Sequence, residues 1–194
     1  MKRGLLISYL VGGLLLVLGL IYDKEISLFI TSLRVEILSN LMVWVSYFGS
    51  GFFILIFMTS LFLWQEKKRE YIVPLWASVI ISLIVVYIIK IIFLRLRPFE
   101  VLGIIPLVKT LTSSFPSGHT AAAFSTIAIL DKEFPKFKWF WIAFSVLIGF
   151  SRIYVGVHYL SDVVFAAILG GSIGIYMCKK KEWFNFNLKN KKEK

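Results

Sequence analysis

The sequence predicts an all-α, polytopic membrane protein with six transmembrane helices in a single domain spanning residues 1–194. Of these 194 residues, 58% are hydrophobic and 17% are charged, whereas globular domains average about 45–50% apolar and about 25% charged residues. The mean hydropathy is +0.82. The apolar residues form six runs, and a helix that crosses a bilayer needs roughly 20 such residues. This composition excludes a soluble domain and a disordered chain of this length.

The predicted spans differ in length and in what borders them. They cover Gly4–Tyr22, Leu41–Trp64, Ile72–Leu94, Pro116–Leu130, Trp139–Tyr154 and Ser161–Cys178. The first run follows two basic residues, as a signal peptide does, but no small-residue cleavage site comes after it, so we interpret it as an uncleaved anchor. The fourth and sixth runs are short for spans. Between the first two, Asp23–Asn40 mixes apolar and charged residues, which predicts an amphipathic helix lying in the membrane interface.

The distribution of basic residues predicts the orientation. Alternate connections carry 15 of the 22 Lys and Arg residues on one side and 7 on the other, and cytoplasmic connections carry the excess. Both termini are therefore expected in the cytoplasm, with residues 179–194 as a basic cytoplasmic tail. The net charge of +11 is expected to face anionic lipid head groups rather than nucleic acid, because the basic residues lie at the ends of apolar runs. The single cysteine, Cys178, excludes an intrachain disulfide and a thiolate metal cluster.

Two cations lie near the end of the third predicted span. Lys90 and Arg97 are seven residues apart, which on a continuous helix is about two turns, roughly 10 Å along one face. Pro98 is expected to end that helix. A lysine that extends to the membrane surface would explain Lys90 alone, and a clamp for a lipid head group would explain the pair.

The fourth predicted span begins with Pro-Ser-Gly-His. Pro116 at the first helical position predicts a helix start whose free N–H groups favour anions. Gly118 would let the backbone approach a ligand closely, and Ser117 adds a hydroxyl donor. An ordinary Pro/Ser helix cap is the alternative, and His119 argues against it.

The connection after the fifth predicted span carries Arg152, His158 and Asp162. His158 and Asp162 are four residues apart, so they share a face if the sixth helix begins near His158. A carboxylate there can fix the tautomer of the imidazole and leave its other nitrogen nucleophilic. A helix-surface ion pair is the alternative for these two residues taken alone.

The three segments lie on the same predicted side of the membrane. Two histidines, three cations, one carboxylate and a helix start can therefore converge on one pocket. Such a set suits phosphate, a tetrahedral anion with a charge of about −1.5 to −2 in a monoester. No cluster of acidic residues is available for magnesium or calcium, and two histidines fall short of the three ligands of a catalytic zinc. A reaction without metal or other cofactor is predicted.

These residues resemble the type 2 phosphatidic acid phosphatase family, the lipid phosphate phosphatases. Three motifs in order and with matching spacing carry the resemblance: Lys90–Arg97–Pro98, Pro116–Ser117–Gly118–His119 and Ser151–Arg152…His158…Asp162. The motifs cover residues 90–162. The resemblance implies that the chain is one membrane-embedded phosphatase domain. It implies that His158 is the nucleophile, that Asp162 orients it and that His119 protonates the leaving oxygen. It also implies a phosphate-binding set made of Lys90, Arg97, Ser117, Gly118 and Arg152.

The resemblance extends to location and substrate class. The compact chain looks like the small bacterial members, which implies a multi-pass protein of the bacterial inner membrane with its active site on the extracytoplasmic side. A phosphorylated membrane lipid is the expected substrate, with undecaprenyl pyrophosphate first because its diphosphate is removed on the outer side in cell-wall recycling. Phosphatidylglycerol phosphate, phosphatidic acid and lipid A are alternatives. A lipid phosphotransferase stays open, and a transporter or lipid-binding protein would not explain the ordered motifs. The sequence indicates no protein partner.

Overall fold

The computed structural model describes residues 2–64 and 70–192, with side chains for 3–64 and 70–180. Eight α-helices occur within these ranges, together with a short 3-10 turn at Pro135–Phe137 and no strand. The helices are α1 (Lys2–Ser32), α2 (Glu36–Phe48), α3 (Gly51–Trp64), α4 (Ile72–Phe93), α5 (Pro98–Val101), α6 (Gly118–Glu133), α7 (Lys138–Tyr154) and α8 (Leu160–Lys192). The predicted all-α class is confirmed.

Three segments are long and apolar enough to cross a membrane unaided: Arg3–Ser32, Ile72–Val101 and Leu160–Lys180. The helices α2 and α3 pass the same test together, but they are bent by 70° at the break between them. With 16 and 17 residues, α6 and α7 are about 24–26 Å long, which is shorter than the roughly 30 Å hydrocarbon core. The chain is therefore a membrane-type helical protein, and the six-span arrangement stays a prediction.

Several predicted boundaries differ from the structure, and the second predicted span, Leu41–Trp64, is divided between α2 and α3. We expected the first helix to end at Tyr22, before Asp23, but α1 continues to Ser32 with only a local kink at Tyr22. The charge does not end the helix because the Asp23 side chain is buried and paired within the protein. The amphipathic segment Asp23–Asn40 is thus not confirmed as a separate interfacial helix. The sixth run, predicted to be short, belongs to the 33-residue helix α8. Most side chains of the predicted basic tail, residues 179–194, lie outside the described residues, so the tail stays a prediction.

The helix α6 lies at the centre of the bundle, packed against α8, α4 and α7. Its inner face is made of small residues, which allow neighbouring helices to approach closely: Ala121, Ala122, Ala123, Ser125 and Thr126 are all buried. A hydrophobic cluster fills the space between α3, α4, α6 and α7, with Phe62, Leu75, Val79, Ile129 and Ile148 at its centre. By contrast, α1 exposes most of its apolar side chains, as a helix facing lipid tails does.

Two glycines of α8 set its distance from α6. A Cβ atom on Gly170 would lie 2.2 Å from the carbonyl oxygen of Ala121, and one on Gly174 would lie 2.2 Å from that of Ser125. Neither backbone oxygen can move aside without shifting a helix. Since α6 carries His119 and α8 carries Asp162, this contact also fixes the spacing of the candidate site.

We expect Gly170→Ala and Gly174→Ala to push the two helices apart. Overpacking of this kind costs about 1–3 kcal/mol, so the apparent unfolding temperature in detergent should fall in both variants. Gly171→Ala is the matched control, because a Cβ there meets nothing within 4 Å and alanine is the better helix former. If Gly171→Ala is destabilised as much as Gly170→Ala, the close approach does not explain the loss.

Candidate active site

The residues of the three motifs meet at one end of the bundle, where helices end or begin. The last turns of α4 and α7, the first turns of α6 and α8 and two connecting segments contribute them: Lys90, Arg97, His119, Arg152, His158 and Asp162. His119 lies close enough to His158 and to three cations to interact with them electrostatically. The cations are Lys90, Arg97 and Arg152. The structure therefore brings together side chains that are up to 72 positions apart in sequence.

Backbone carbonyls hold two of the cations. The ammonium group of Lys90 donates hydrogen bonds to the carbonyl oxygens of Ser113 and Ser114. The guanidinium group of Arg97 donates from Nε to Thr112 O at 2.7 Å and from Nη1 to Val157 O at 2.6 Å. These contacts fix the connection before α6 and the segment before His158. Because carbonyl oxygens carry no net charge, they hold both cations without neutralising them.

The third cation, Arg152, is 4% exposed and lies at the end of α7. Its Nη1 donates to the hydroxyl group of Ser46 on α2. Its Nε has no hydrogen-bond partner among the described residues. A buried guanidinium donor without a partner is costly, and an anion in front of it would satisfy it.

His158 lies in the connection between α7 and α8 and is 2% exposed. Its backbone N–H donates to the carbonyl oxygen of Arg152 at 3.3 Å. Its ring Nε2 is 3.5 Å from Nη1 of Arg97. Arginine can only donate, so Nε2 is the acceptor and the ring proton belongs on Nδ1. Burial lowers the pKa of His158 well below its usual value, and the nearby Arg97, Arg152 and Lys90 lower it further.

Asp162, in the first turn of α8, is completely buried. Its Oδ1 accepts a hydrogen bond from Arg95 at 2.6 Å, and its Oδ2 accepts from Ser114 Oγ at 2.5 Å and from Tyr159 N at 2.9 Å. The same Oδ2 is 3.5 Å from Nδ1 of His158, which makes no hydrogen bond within the described part of the chain. The carboxylate thus faces the ring nitrogen that carries the proton, at a distance slightly too long for a strong hydrogen bond.

The helix start differs by two residues from the sequence prediction. Gly118, not Pro116, is the first residue of α6, and Ser117 is its N-cap. The hydroxyl oxygen of Ser117 accepts from Thr120 Oγ1 at 2.9 Å and from Thr120 N at 3.4 Å, so its own proton is still available to a ligand. A Cβ on Gly118 would meet only side chains of α4, at 3.7 Å and beyond. Ser117 N donates to the backbone oxygen of Asp162, and Thr120 N donates to Ser117 Oγ. The free N–H groups of this helix start are therefore those of residues 118 and 119.

The sequence reasoning missed four residues that hold the motif residues in place. The hydroxyl group of Ser46 accepts a hydrogen bond from Arg152, and that of Ser114 donates one to Asp162. Arg95 and Asp23 form an ion pair at 2.7 Å beside Asp162. Arg95 lies two positions before Arg97, and its charge is the only feature of the sequence that points to it. Asp23 directly follows the first predicted span, and nothing in the sequence links it to the motifs. A cavity of about 580 Å³ lies next to this ion pair and is lined by residues of α1, Arg95 and Tyr159.

No group of three His, Cys, Asp or Glu side chains suited to a metal ion occurs in residues 3–64 and 70–180. The arrangement instead combines a neutral imidazole, several fixed cations and a helix start. It can hold a phosphate group and present Nε2 of His158 to it.

The chain is similar to known phosphatases. The PAP2 superfamily matches residues 71–185. An undecaprenyl-diphosphatase of Sulfolobus acidocaldarius is 30% identical over 155 residues, which cover 78% of this chain and 75% of that protein. Undecaprenyl-diphosphatase BcrC of Bacillus subtilis is 29% identical, with 72% of each chain covered. A crystal structure of a transmembrane, PAP2-type phosphatidylglycerolphosphate phosphatase of Bacillus subtilis superposes with a TM-score of 0.73 at 21% identity and covers 91% of this chain and 94% of that one.

The fold and the comparisons define a membrane hydrolase that acts on phosphate esters. The chain belongs to the PAP2 superfamily.

The lowered pKa of His158 predicts the acid side of the pH profile. As the pH falls through that pKa, His158 takes up a proton and Nε2 loses the lone pair that an attack on phosphorus would require. Because the pKa is lowered, the acid limb of kcat/KM, which reports the free enzyme, should lie below pH 6.5. Phosphate monoesters also titrate, near pH 6, so two substrates with different phosphate pKa values must be compared. An enzyme limb that stays at or above pH 6.5 with both would contradict the burial argument.

Proposed function

We propose that the protein is an integral membrane lipid phosphatase that hydrolyses a phosphate or diphosphate head group through a phosphohistidine intermediate and releases inorganic phosphate. One observation carries the proposal: the buried imidazole of His158 directs its unprotonated nitrogen toward Arg97, in the middle of cations held by neutral partners. A group that must attack an anion needs such surroundings, because positive charges hold the phosphate and stabilise the transition state.

Each catalytic residue has a distinct role in this reaction. Nε2 of His158 forms a bond to phosphorus while the bond between that phosphorus and the leaving oxygen breaks, which is the bridging oxygen in a diphosphate and the lipid oxygen in a monophosphate. His119 donates its proton to that leaving oxygen. Water then attacks phosphorus and gives a proton to His119, the bond between Nε2 and phosphorus breaks, and inorganic phosphate departs. Asp162 faces Nδ1 and stabilises the positive charge that the ring acquires on phosphorylation.

Phosphate binding falls to Lys90, Arg97, Ser117, Gly118 and Arg152. The unpartnered Nε of Arg152 supports this role most directly. The longer Nη2 contacts of Arg97, at 3.3 and 3.4 Å to Ser113 O and Thr112 Oγ1, are weak enough to be exchanged for phosphate oxygens. The helix start supplies the N–H groups of residues 118 and 119 and the hydroxyl group of Ser117. Together these groups bind the phosphate without help from a metal ion.

Undecaprenyl pyrophosphate is the proposed substrate. Relatives named as undecaprenyl-diphosphatases match most of the chain at about 30% identity, which supports this choice. Phosphatidylglycerol phosphate, phosphatidic acid and lipid A have the same kind of head group and are the alternatives. A lipid phosphotransferase would form the same phosphohistidine and pass the phosphoryl group to an acceptor other than water.

The proposed setting is the bacterial inner membrane. Residues 1–194 form one membrane-embedded domain with six spans, both termini in the cytoplasm and the active site on the extracytoplasmic side. The excess of basic residues in alternate connections supports this orientation. The lipid bilayer and the lipid substrate are the proposed partners, and residues 179–194 are a basic cytoplasmic tail.

Phosphate release from purified lipid phosphates in detergent tests the function. We expect release from undecaprenyl pyrophosphate with EDTA present, because the phosphate charge is met by side chains and N–H groups. The panel should include phosphatidylglycerol phosphate, phosphatidic acid and lipid A, with His158→Ala as the inactive control.

Three results would contradict parts of this account. Loss of lipid phosphate without free phosphate would identify a transferase. Loss of activity in EDTA that one divalent ion restores would show that the site needs a metal. Faster release from another lipid of the panel would replace the proposed substrate.

A further inference from the structure

The helix α1 brings a buried carboxylate to the back of the site. Asp23 is 5% exposed although most apolar side chains of its helix are exposed. Its Oδ1 accepts a hydrogen bond from Ser161 N at 2.9 Å, and its Oδ2 accepts from the hydroxyl group of Ser161. Asp23 thus binds the N-terminal end of α8, where a negative charge is favourable. The residue that it holds is the immediate neighbour of Asp162.

Arg95 joins Asp23 to Asp162. Its Nη2 is 2.7 Å from Oδ2 of Asp23, while its Nη1 is 2.6 Å from Oδ1 of Asp162 and donates to Ser161 Oγ at 2.7 Å. The guanidinium carbon also lies 4.1 Å from the ring centroid of Tyr159, which limits its movement. One planar guanidinium therefore fixes two carboxylates at once, which a lysine ammonium could not do with the same geometry.

The packing of α1 is shaped for this contact. Gly19 lies one helical turn before Asp23 on the same face. A Cβ there would be 2.9 Å from the backbone nitrogen of Ser161. The missing side chain thus lets α1 approach the start of α8 closely enough for Asp23 to reach it. Gly19 and Asp23 both lie outside residues 71–185, the part of the chain that matches the PAP2 superfamily.

We propose that Asp23 and Arg95 are positioning residues: Arg95, itself held by Asp23, fixes the carboxylate of Asp162 opposite Nδ1 of His158. This role rests on the proposed phosphatase function. With Oδ1 of Asp162 held by Arg95, Oδ2 is left to face the imidazole. The N-terminal helix is then a part of the catalytic apparatus and not only a membrane anchor.

The positioning role predicts an electrostatic signature as well as a loss of rate. Removing the positive charge of Arg95 favours protonation of the groups near it, whereas removing the negative charge of Asp23 disfavours it. The acid limb of kcat/KM should therefore move to higher pH in Arg95→Gln and to lower pH in Asp23→Asn. The titratable and charged groups that face this pair and the imidazole are Lys90, Arg97, Glu100, His119, Arg152, Tyr159 and Asp162.

The decisive comparison is Asp23→Asn against Glu25→Gln in the full-length protein. Glu25 is the exposed carboxylate two residues further along α1. Misplacement of a catalytic group by about 1 Å can cost on the order of 100-fold, and we expect Asp23→Asn to lower kcat on the order of 10-fold with little change in KM. Glu25→Gln should match the wild type. Arg95→Lys, which keeps the charge, should keep the wild-type acid limb but not the wild-type kcat.

Thermal unfolding in detergent and monodisperse gel filtration show whether each variant is folded. A folded Asp23→Asn enzyme with the kcat of Glu25→Gln would overturn the positioning role while leaving the phosphatase function intact. The positioning role would also be overturned if kcat fell in Asp23→Asn and Arg95→Gln but the acid limb did not shift in opposite directions. A packing defect would lower kcat in this way without shifting the acid limb. If the wild type releases phosphate from no lipid of the panel, the proposed function fails and the positioning role fails with it.

Discussion

The arrangement depends on how the protein holds three cations, two of them buried and one partly buried, without neutralising them. A buried charge is costly unless it is hydrogen-bonded. Carbonyl oxygens of residues 112–114 and 157 hold Lys90 and Arg97, and a hydroxyl group holds Arg152. Such partners satisfy the N–H donors and leave the positive charge for a ligand. The carboxylate of Asp162, which could cancel that charge, is instead occupied by Arg95, Ser114 and Tyr159.

This charge arrangement needs helices that are close and fixed. The candidate site is assembled from the ends of α4, α6, α7 and α8, so a small shift of one helix moves one of the proposed catalytic groups relative to the others. The glycines at 170 and 174 hold α8 against the backbone of α6. Small side chains on α6 remove the bulk that would otherwise separate the helices. The sequence thus uses its small residues where the helix spacing determines the chemistry and its large apolar residues where the bundle faces lipid.

The sequence predicted the parts of this structure that depend on local pattern. The bounds of α4 and α7 agree with the predicted spans to within one residue, because apolar periodicity and Pro or charged borders are local signals. The predicted end of α1 was wrong because a charged residue normally ends a span. Asp23 is an exception because it pairs with Arg95, 72 residues away. The motif residues could be named from their spacing. Ser46, Ser114, Arg95 and Asp23 could not, since pairing between distant residues leaves no local pattern.

The central claim is that Nε2 of His158 takes the phosphoryl group. Rapid quenching of the enzyme during turnover, followed by mass spectrometry under conditions that preserve phosphohistidine, tests it most directly. The account predicts a phosphoryl group on His158 in the wild type and none in His158→Ala. A phosphoryl group on His119 or on a serine, or phosphate release by His158→Ala, would contradict it.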